Sequence, residues 1–416
     1  MLAGRGSGLP VARQSEWLAA VMELIGARFH RPEPRRRSTE YVHGLLADLR
    51  RKNGWTLSEH AGAAAVDGMQ RLLRTADWDI DGVRDDLRAF LLAHLADPDG
   101  VYMVSEAGFV KKGDRSAGVA RQYNATTGRA DNCQLGLFLA YSSPRGRALI
   151  DRELYLPRIW ADDPARRAAA RIPANVNFAT KPQLAMAMFS RTYQAGLLSG
   201  WVTAGRLYGP YRALRSWLVR RRVPFVLATS NDDVLVTADG LRRRSRTLAE
   251  RAEADETTVL ARAHSVVEEG PDRGRGYDWV AVALSTARLP ADWRHWLLIR
   301  RESQPVPGAT RRKVAFYRCT GPADTPLGKL ISVADGRWAV GDCLLTARNR
   351  AGLDHYQVRD WRAWYAHVTL SMVASSFLSV SDVEKENGLS SPVRGAACSP
   401  RRMAMHLSTP ASAPSG

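Results

Sequence analysis

The sequence predicts an α/β protein: a mixed sheet with flanking helices, interrupted by an insertion and preceded by an N-terminal helical region. Three observations lead there. Apolar residues recur at helical spacing up to about Leu95; from Val101 strand-type runs come first and then alternate with helical segments; and helical spacing returns after Pro326, once a charged stretch has passed. At 416 residues the chain is longer than one typical domain, so two or three units are expected.

The first unit, residues 1–96, is read as a helical, DNA-binding region. Tyr41, Leu45, Leu46 and Leu49 share one helical face, and Val83, Leu87, Phe90, Leu91 and Leu95 another. Between them, Ala27 to Lys52 holds eight Arg or Lys against three acids, and Trp55 to Trp78 reads as short helices broken near Gly62 and Gly68. That pattern suits a helix-turn-helix, and equally a basic bundle with no groove-reading helix.

The turn-forming Asp97-Pro98-Asp99-Gly100 opens the first part of the core, residues 97–230. Strands are expected at Val101 to Val104, at Asn132 to Tyr141, which is apolar on both faces, and at Ala148 to Leu156, returning after the Pro144-Arg145-Gly146 turn. Helices at Gln183 to Ala195 and Leu214 to Arg222 then alternate with strands at Gly200 to Ala204 and Pro224 to Ala228. Residues 231–326 are charged and irregular, an insertion with short strands at Trp279 to Ser285, Trp296 to Arg300 and Val314 to Arg318. The last part of the core, 327–382, carries Leu330, Ala334, Trp338 and Leu345 at helical spacing and an apolar helix from Trp361 to Val380. Residues 383–416 turn to Ser, Pro, Ala and Gly and are expected to be a disordered tail.

Charge bounds the partner. With 60 Lys and Arg against 42 Asp and Glu, the net charge of +18 favours a polyanion, nucleic acid first. Cys133, Cys319, Cys343 and Cys398 form no C-x-x-C pair, which argues against a zinc site or a disulfide framework and fits a reducing cytoplasm. The Gly-rich N-terminus lacks the apolar core of a signal peptide, and the longest apolar run, Val368 to Val380, is too short to span a bilayer. A soluble, cytoplasmic protein with no membrane partner is the expectation.

A set of strings then narrows the reading. Gly108-Phe109, Lys111-Lys112-Gly113, Ser116-Ala117-Gly118-Val119, Arg121-Gln122-Tyr123 and Asn132-Cys133-Gln134 together resemble the first catalytic block of bacterial insertion-sequence transposases of the DDE superfamily. The resemblance continues through Ser143-Pro144-Arg145-Gly146, Leu154-Tyr155-Leu156-Pro157, Val202-Thr203-Ala204 with Tyr208-Gly209, Arg337-Trp338-Ala339-Val340 and Gly352-Leu353-Asp354-His355-Tyr356, covering Pro32 to Val380. It implies an RNase H-like DDE endonuclease core, in which two Asp and one Glu hold two Mg²⁺ ions for in-line phosphoryl transfer. Carboxylates are needed because Mg²⁺ is a hard cation that takes oxygen ligands.

Carried over by position, those three carboxylates fall on Ser105, Gly205 and Gly341. All three are missing, so no metal cofactor is expected in this copy, where its relatives use Mg²⁺. Glu106 should face away from the side that Ser105 faces, and Asp342 lies about 100° around its helix from position 341. Asp232 and Asp233 read as solvated loop acids. Gly341 is expected within a helix, where Gly costs about 1 kcal/mol relative to Ala. Lys111, Lys112 and Arg115 after the first strand, with Arg337 and Arg348 on the helix face of position 341, are the candidates for phosphate contacts. Trp338, Trp361, Trp364 and Tyr365 could stack on an unpaired base, though core packing is the ordinary role of aromatics so spaced. His355 and His367 are read as structural.

The function expected from this resemblance is binding of double-stranded transposon-end DNA, with terminal inverted repeats as target, and with cleavage and strand transfer lost or severely reduced. Homo-oligomers, or mixed oligomers with active relatives, fit that role. Three alternatives remain open: a non-catalytic regulator or inhibitor of transposition, a decayed transposase remnant, and an active nuclease that uses Glu106 and Asp342.

Overall fold

A computed structural model of the chain describes residues 11–254, 259–266, 275–304, 312–336 and 339–387. Arg337 and Trp338, and the expected tail from residue 388 onward, lie outside the described residues.

The N-terminal region is helical, as expected: α1 (Val11–Gly26), α2 (Pro32–Leu46), α3 (Gly54–His60), α4 (Asp67–Arg74) and α5 (Ile80–Leu95). Its boundaries follow capping chemistry. Pro32 opens α2, the Asn53 side chain accepts from the Trp55 and Thr56 amides to start α3, and Asp79 accepts from the Gly82 amide to start α5. The break between α3 and α4 falls at Gly62, whose φ is 68°. Gly68, the other expected break, lies inside α4. A single glycine costs a helix too little to end it while Met69, Leu72 and Leu73 are buried on the same turns.

The sheet is built on β1 (Val101–Val110). It pairs antiparallel with β3 (Arg129–Ser143) on one side and parallel with β5 (Trp201–Ala204) on the other. The long β3 carries β2 (Ala120–Asn124) and β4 (Gly146–Leu154), and β6 (Phe225–Thr229) pairs parallel with β5. The order β4-β3-β1-β5-β6, with β1, β5 and β6 parallel, is an RNase H-like arrangement. The connection from β4 to β5 carries α6 (Arg158–Ala161), α7 (Pro164–Ala169) and α8 (Lys181–Gln194), and α9 (Arg212–Arg220) links β5 to β6.

The insertion is more ordered than its composition suggests. After the β7 (Val234–Val236) and β8 (Arg242–Arg244) hairpin and α10 (Ser245–Ala254), strands β9 (Ala261–Val266), β10 (Gly276–Ala283), β11 (Trp293–Glu302) and β12 (Val314–Pro322) extend the main sheet, with β12 antiparallel to β6. These strands bury both faces. Trp296, Leu298 and Tyr317 join the main core, while Leu297, Ile299 and Phe316 form a second cluster with Leu235 and with Leu248 and Ala252 of α10.

The chain closes with α11 (Leu327–Gly336), α12 (Ala339–Ala351) and α13 (Trp361–Asn387). α13 continues five residues into the segment expected to be a tail, through Glu384, Lys385 and Glu386, which favour helix. It packs on β4 and α12 and against α1, α2, α4 and α5, so one hydrophobic cluster runs from Leu18 to Ala374. Among the described residues no helix is long and apolar enough to cross a membrane.

Candidate functional site

Pairing of Val104 with Ala204 across β1 and β5 brings the next residues, Ser105 and Gly205, side by side where the two parallel strands separate. Alternation along β1 assigns the faces. Phe109 packs edge-on to Tyr356 and Trp364 and lies under the Arg348 guanidinium of α12, so odd-numbered residues, Ser105 included, face α12 and α13. Glu106 faces the other way, where its carboxylate is held by Lys181 of α8 and lies beside the buried Tyr208. Burial, and then the charge of Glu106, pushes the Tyr208 phenol well above its ordinary range.

Two anchors orient α12 over the sheet. Asp342 pairs with Arg147 at 2.8 Å, and Arg147 lies opposite Ser142, the partner of Val101. Further along, the Arg348 guanidinium donates to the Gly108 carbonyl at 2.9 Å. The helix therefore runs in the sense of β1 and passes over the stretch holding Ser105. Gly341 sits in its exposed first turn and not in mid-helix, where the penalty for glycine would be larger. A Cβ at Gly205 or Gly341 would meet nothing within 4 Å. Open space thus surrounds both glycines.

The donors present do not fit a two-Mg²⁺ centre. Ser105 offers a neutral hydroxyl, the glycines offer no side chain, Glu106 is turned away, and Asp342 is tied to Arg147 on the solvent side. Asp233 is not a solvated loop acid. Arg318 grips it at 2.5 and 2.7 Å, and although burial pushes its carboxyl up, that guanidinium and the Thr229 hydroxyl bring it below the ordinary range. Asp232 is exposed and pairs with Arg244 and Arg246. Among the described residues no group of three or more His, Cys, Asp or Glu lies close enough to hold a metal ion.

The strings that carried the resemblance converge on one buttress beneath the β1–β2 loop. Asn132 donates to the carbonyls of Lys111 (2.8 Å) and Gly113 (3.0 Å), Gln134 donates to Ala117 (2.7 Å), and Tyr356 donates to Gln134 (2.8 Å) while accepting from Trp364 (3.1 Å). Gly108 is required because a Cβ there would stand 2.0 Å from Asn124 Oδ1, and Gly209 because one would stand 2.0 Å from the Ala228 carbonyl. None of these contacts is legible in the strings.

Among the candidate phosphate contacts, Lys112 and Arg115 are exposed on that loop. Lys111 is folded in, its Nζ 3.6 Å from the centre of the Tyr356 ring, and burial pulls its pKa down to about 8. Arg348 is half-buried and engaged by Gly108, and burial lowers it too. Arg337 lies outside the described residues. The aromatics divide in favour of packing: Trp364 is buried, Tyr365 donates to Glu153 at 2.8 Å, and Trp361 packs against Tyr365. His355 accepts from the Lys52 amide, and His367 bridges Tyr41 and the Gly352 carbonyl, both structural. Sequence reasoning passed over Lys52, whose buried Nζ donates to the carbonyls of Leu45 (2.7 Å) and Arg350 (2.5 Å), stapling α2 to α12. It also passed over Arg50, Arg51 and Trp55; the basic run directly before a helix cap was the available signal.

An RNase H-like sheet, with Ser105 and Gly205 side by side at the ends of two parallel strands, defines the class: a protein on the polynucleotidyl-transfer fold. More narrowly, the model of the DDE superfamily endonuclease family matches residues 25–283, well over half of the chain, and the chain belongs to that family. That match includes Ser105 and Gly205 and ends before α12. Over 176 residues the chain is 27% identical to a protein of Microchaete diplosiphon described as the probable transposase for insertion sequence element IS701. The aligned stretch is 41% of this chain and 42% of that protein, so less than half of the relative's length is spanned. The NurA nuclease from Sulfolobus solfataricus overlaps 61% of this chain and 82% of its own at 9% identity, with a TM-score of 0.24, too loose a likeness to support an argument.

Proposed function

We propose that this chain binds the ends of an insertion sequence, double-stranded DNA carrying terminal inverted repeats, and does not perform the strand cleavage and transfer of its relatives. The observation that carries this reading is the state of the family site. Ser105 and Gly205 stand together at the parallel strand ends with α12 above them, and the acids next in sequence to positions 105 and 341, Glu106 and Asp342, are committed to Lys181 and Arg147. Two Mg²⁺ ions bring four positive charges together, and no neutral side chain balances that charge. Binding draws instead on the net charge of +18 and on the buttressed loop that presents Lys112 and Arg115. A protein that occupies an end without cutting it competes with a cutting relative, alone or in a mixed oligomer, and would reside with the nucleoid.

The test is a strand-cleavage assay on terminal-repeat DNA with Mg²⁺ or Mn²⁺, comparing the natural chain with Ser105→Asp/Gly205→Asp/Gly341→Glu. The natural chain should bind the DNA and leave it intact. The triple variant, whose new side chains at 205 and 341 enter open space, should fold normally and gain metal-dependent nicking. Robust cutting by the natural chain would overturn the proposal.

A further inference from the structure

Two grooves adjoin on the face of the sheet that Ser105 shares. One, of about 1060 Å³, lies between Arg50, Arg51 and Thr56 on the N-terminal side and Lys111, Lys112 and Ser116 of the β1–β2 loop. The other, of about 770 Å³, lies between Asn53 and Trp55 of the α3 start, Gln70 and Arg74 of α4, and Arg359. Both use Tyr356, Gln357 and Val358 as floor, so they form one trough. Val110 is in its wall, five residues past Ser105 and so roughly 17 Å along β1.

Its chemistry is that of a polyanion track with a stacking platform. Arg50, Arg51, Lys111, Lys112, Arg74 and Arg359 face two carboxylates, Asp354 and Asp360, and Asp360 is already held by Arg74 at 3.0 Å. Among the described residues Arg50, Arg51, Lys112 and Arg359 are exposed and make no ion pair. Trp55 is 61% exposed, the one largely exposed tryptophan among the described residues. Its indole N–H donates to Glu59 at 2.6 Å, which fixes the ring, and no other described aromatic or cation stacks on it. A base inside a duplex has both faces covered by its neighbours, so that indole can receive only an unpaired base or the outer face of a terminal pair.

We infer that this trough binds an unpaired DNA strand at or near a duplex end, with its phosphates along Arg50, Arg51 and Lys112 and a base stacked on Trp55. The inference rests on the reading of the chain as a DNA-end binder and specifies where, and in what form, the end is held.

The experiment measures fluorescence anisotropy of the full chain with three labelled DNAs: a blunt duplex, the same duplex with a single-stranded tail, and the tail alone. Variants are Trp55→Ala, Trp55→Phe, Arg50→Ala/Arg51→Ala and, as a charge control away from the trough, Arg251→Ala/Arg294→Ala. Trp55→Ala should weaken the tailed duplex and the free strand about tenfold and the blunt duplex less than twofold, with Trp55→Phe close to the natural chain. Arg50→Ala/Arg51→Ala should weaken tailed DNA more than the control pair does. If blunt and tailed duplexes bind alike and Trp55→Ala changes neither, the trough is not the strand site, although DNA binding stands. Failure to bind any of the three DNAs would overturn the end-binding reading itself.

Discussion

At the scale of single residues, burial sets the protonation of three groups, His367, His295 and Lys111, with measurable consequences. His367 accepts from the Tyr41 hydroxyl at 2.8 Å and reaches the Gly352 carbonyl at 3.1 Å, and burial holds its pKa down to about 4. An unfolded histidine titrates near 6.5, so between those values the unfolded chain binds a proton that the folded chain refuses. The stabilisation is complete above about pH 6.5 and is lost as pH falls toward 4, amounting to about 2 kcal/mol by pH 5. His295, brought to about 4 by burial and by Arg318, acts in the same sense. Urea denaturation at pH 7 and pH 5 should show this loss, and His367→Gln should remove roughly half of it. An unchanged slope in the variant would assign the loss elsewhere. Lys111 works at the alkaline side: with its pKa near 8, it loses its charge as pH rises from 7 to 9. Held over the Tyr356 ring, it adds to the field of the trough and not to its phosphate contacts, so DNA affinity of the natural chain should fall modestly across that range with its salt dependence little changed, while Lys111→Arg, which stays charged, should keep its affinity. Family strings bracket Ser105 and Gly205 in the sequence, and strand register brings the two side by side, a juxtaposition that spacing alone does not give. Trp55 was not, because an aromatic beside a helix cap reads the same whether it packs inward or stands in solvent.

Among elements, legibility followed periodicity. The helices of the first 95 residues and strands β3, β4, β5 and β6 came through because each has one clear apolar pattern or a punctuating turn. The insertion did not read as part of the sheet, since β11 sends Trp296 and Leu298 to one core and Leu297 and Ile299 to another, leaving no alternation to detect. α10 was missed for the opposite reason: only Leu248, Ala249 and Ala252 of its apolar residues are buried, on a helix otherwise rich in Arg and Glu. The second cluster is small, so each member counts. Leu248→Ala should destabilise the protein by about 2–4 kcal/mol in chemical denaturation, a cost set by the cavity left under β11 and β12. A change below about 0.5 kcal/mol would show that α10 does not depend on that contact.

For the molecule as a whole, the question is whether the N-terminal helices stand apart from the core. Reading along the chain separates residues 1–96 from the core at the Asp97-Pro98-Asp99-Gly100 turn, and nothing in local periodicity says what the helical stripes pack against. In three dimensions they pack on α13, near the far end of the sequence. Tyr41 meets His367, Lys52 joins α2 to α12, Arg74 pairs with Asp360, and Leu45, Leu72, Leu87 and Leu91 belong to the same cluster as Trp364 and Val373. These contacts link residues some 300 positions apart, which strings and spacings cannot reveal. Removing residues 1–96 would therefore strip one side of α13 and leave its buried Val368, Leu370, Met372 and Val373 partly bare, an apolar patch of the kind that soluble proteins avoid. The truncated chain should bind a hydrophobic dye and melt without a cooperative transition, or aggregate, whereas the full chain should unfold in a sharp transition under the same conditions. Sharp, reversible melting of the 97–416 fragment would show instead that the helices form a separable module. With Arg50, Arg51 and Trp55 carried by the helical side and Lys111 and Lys112 by the sheet side, the trough proposed for an unpaired strand is complete only when both are assembled, so the 97–416 fragment should also lose the preference for tailed DNA.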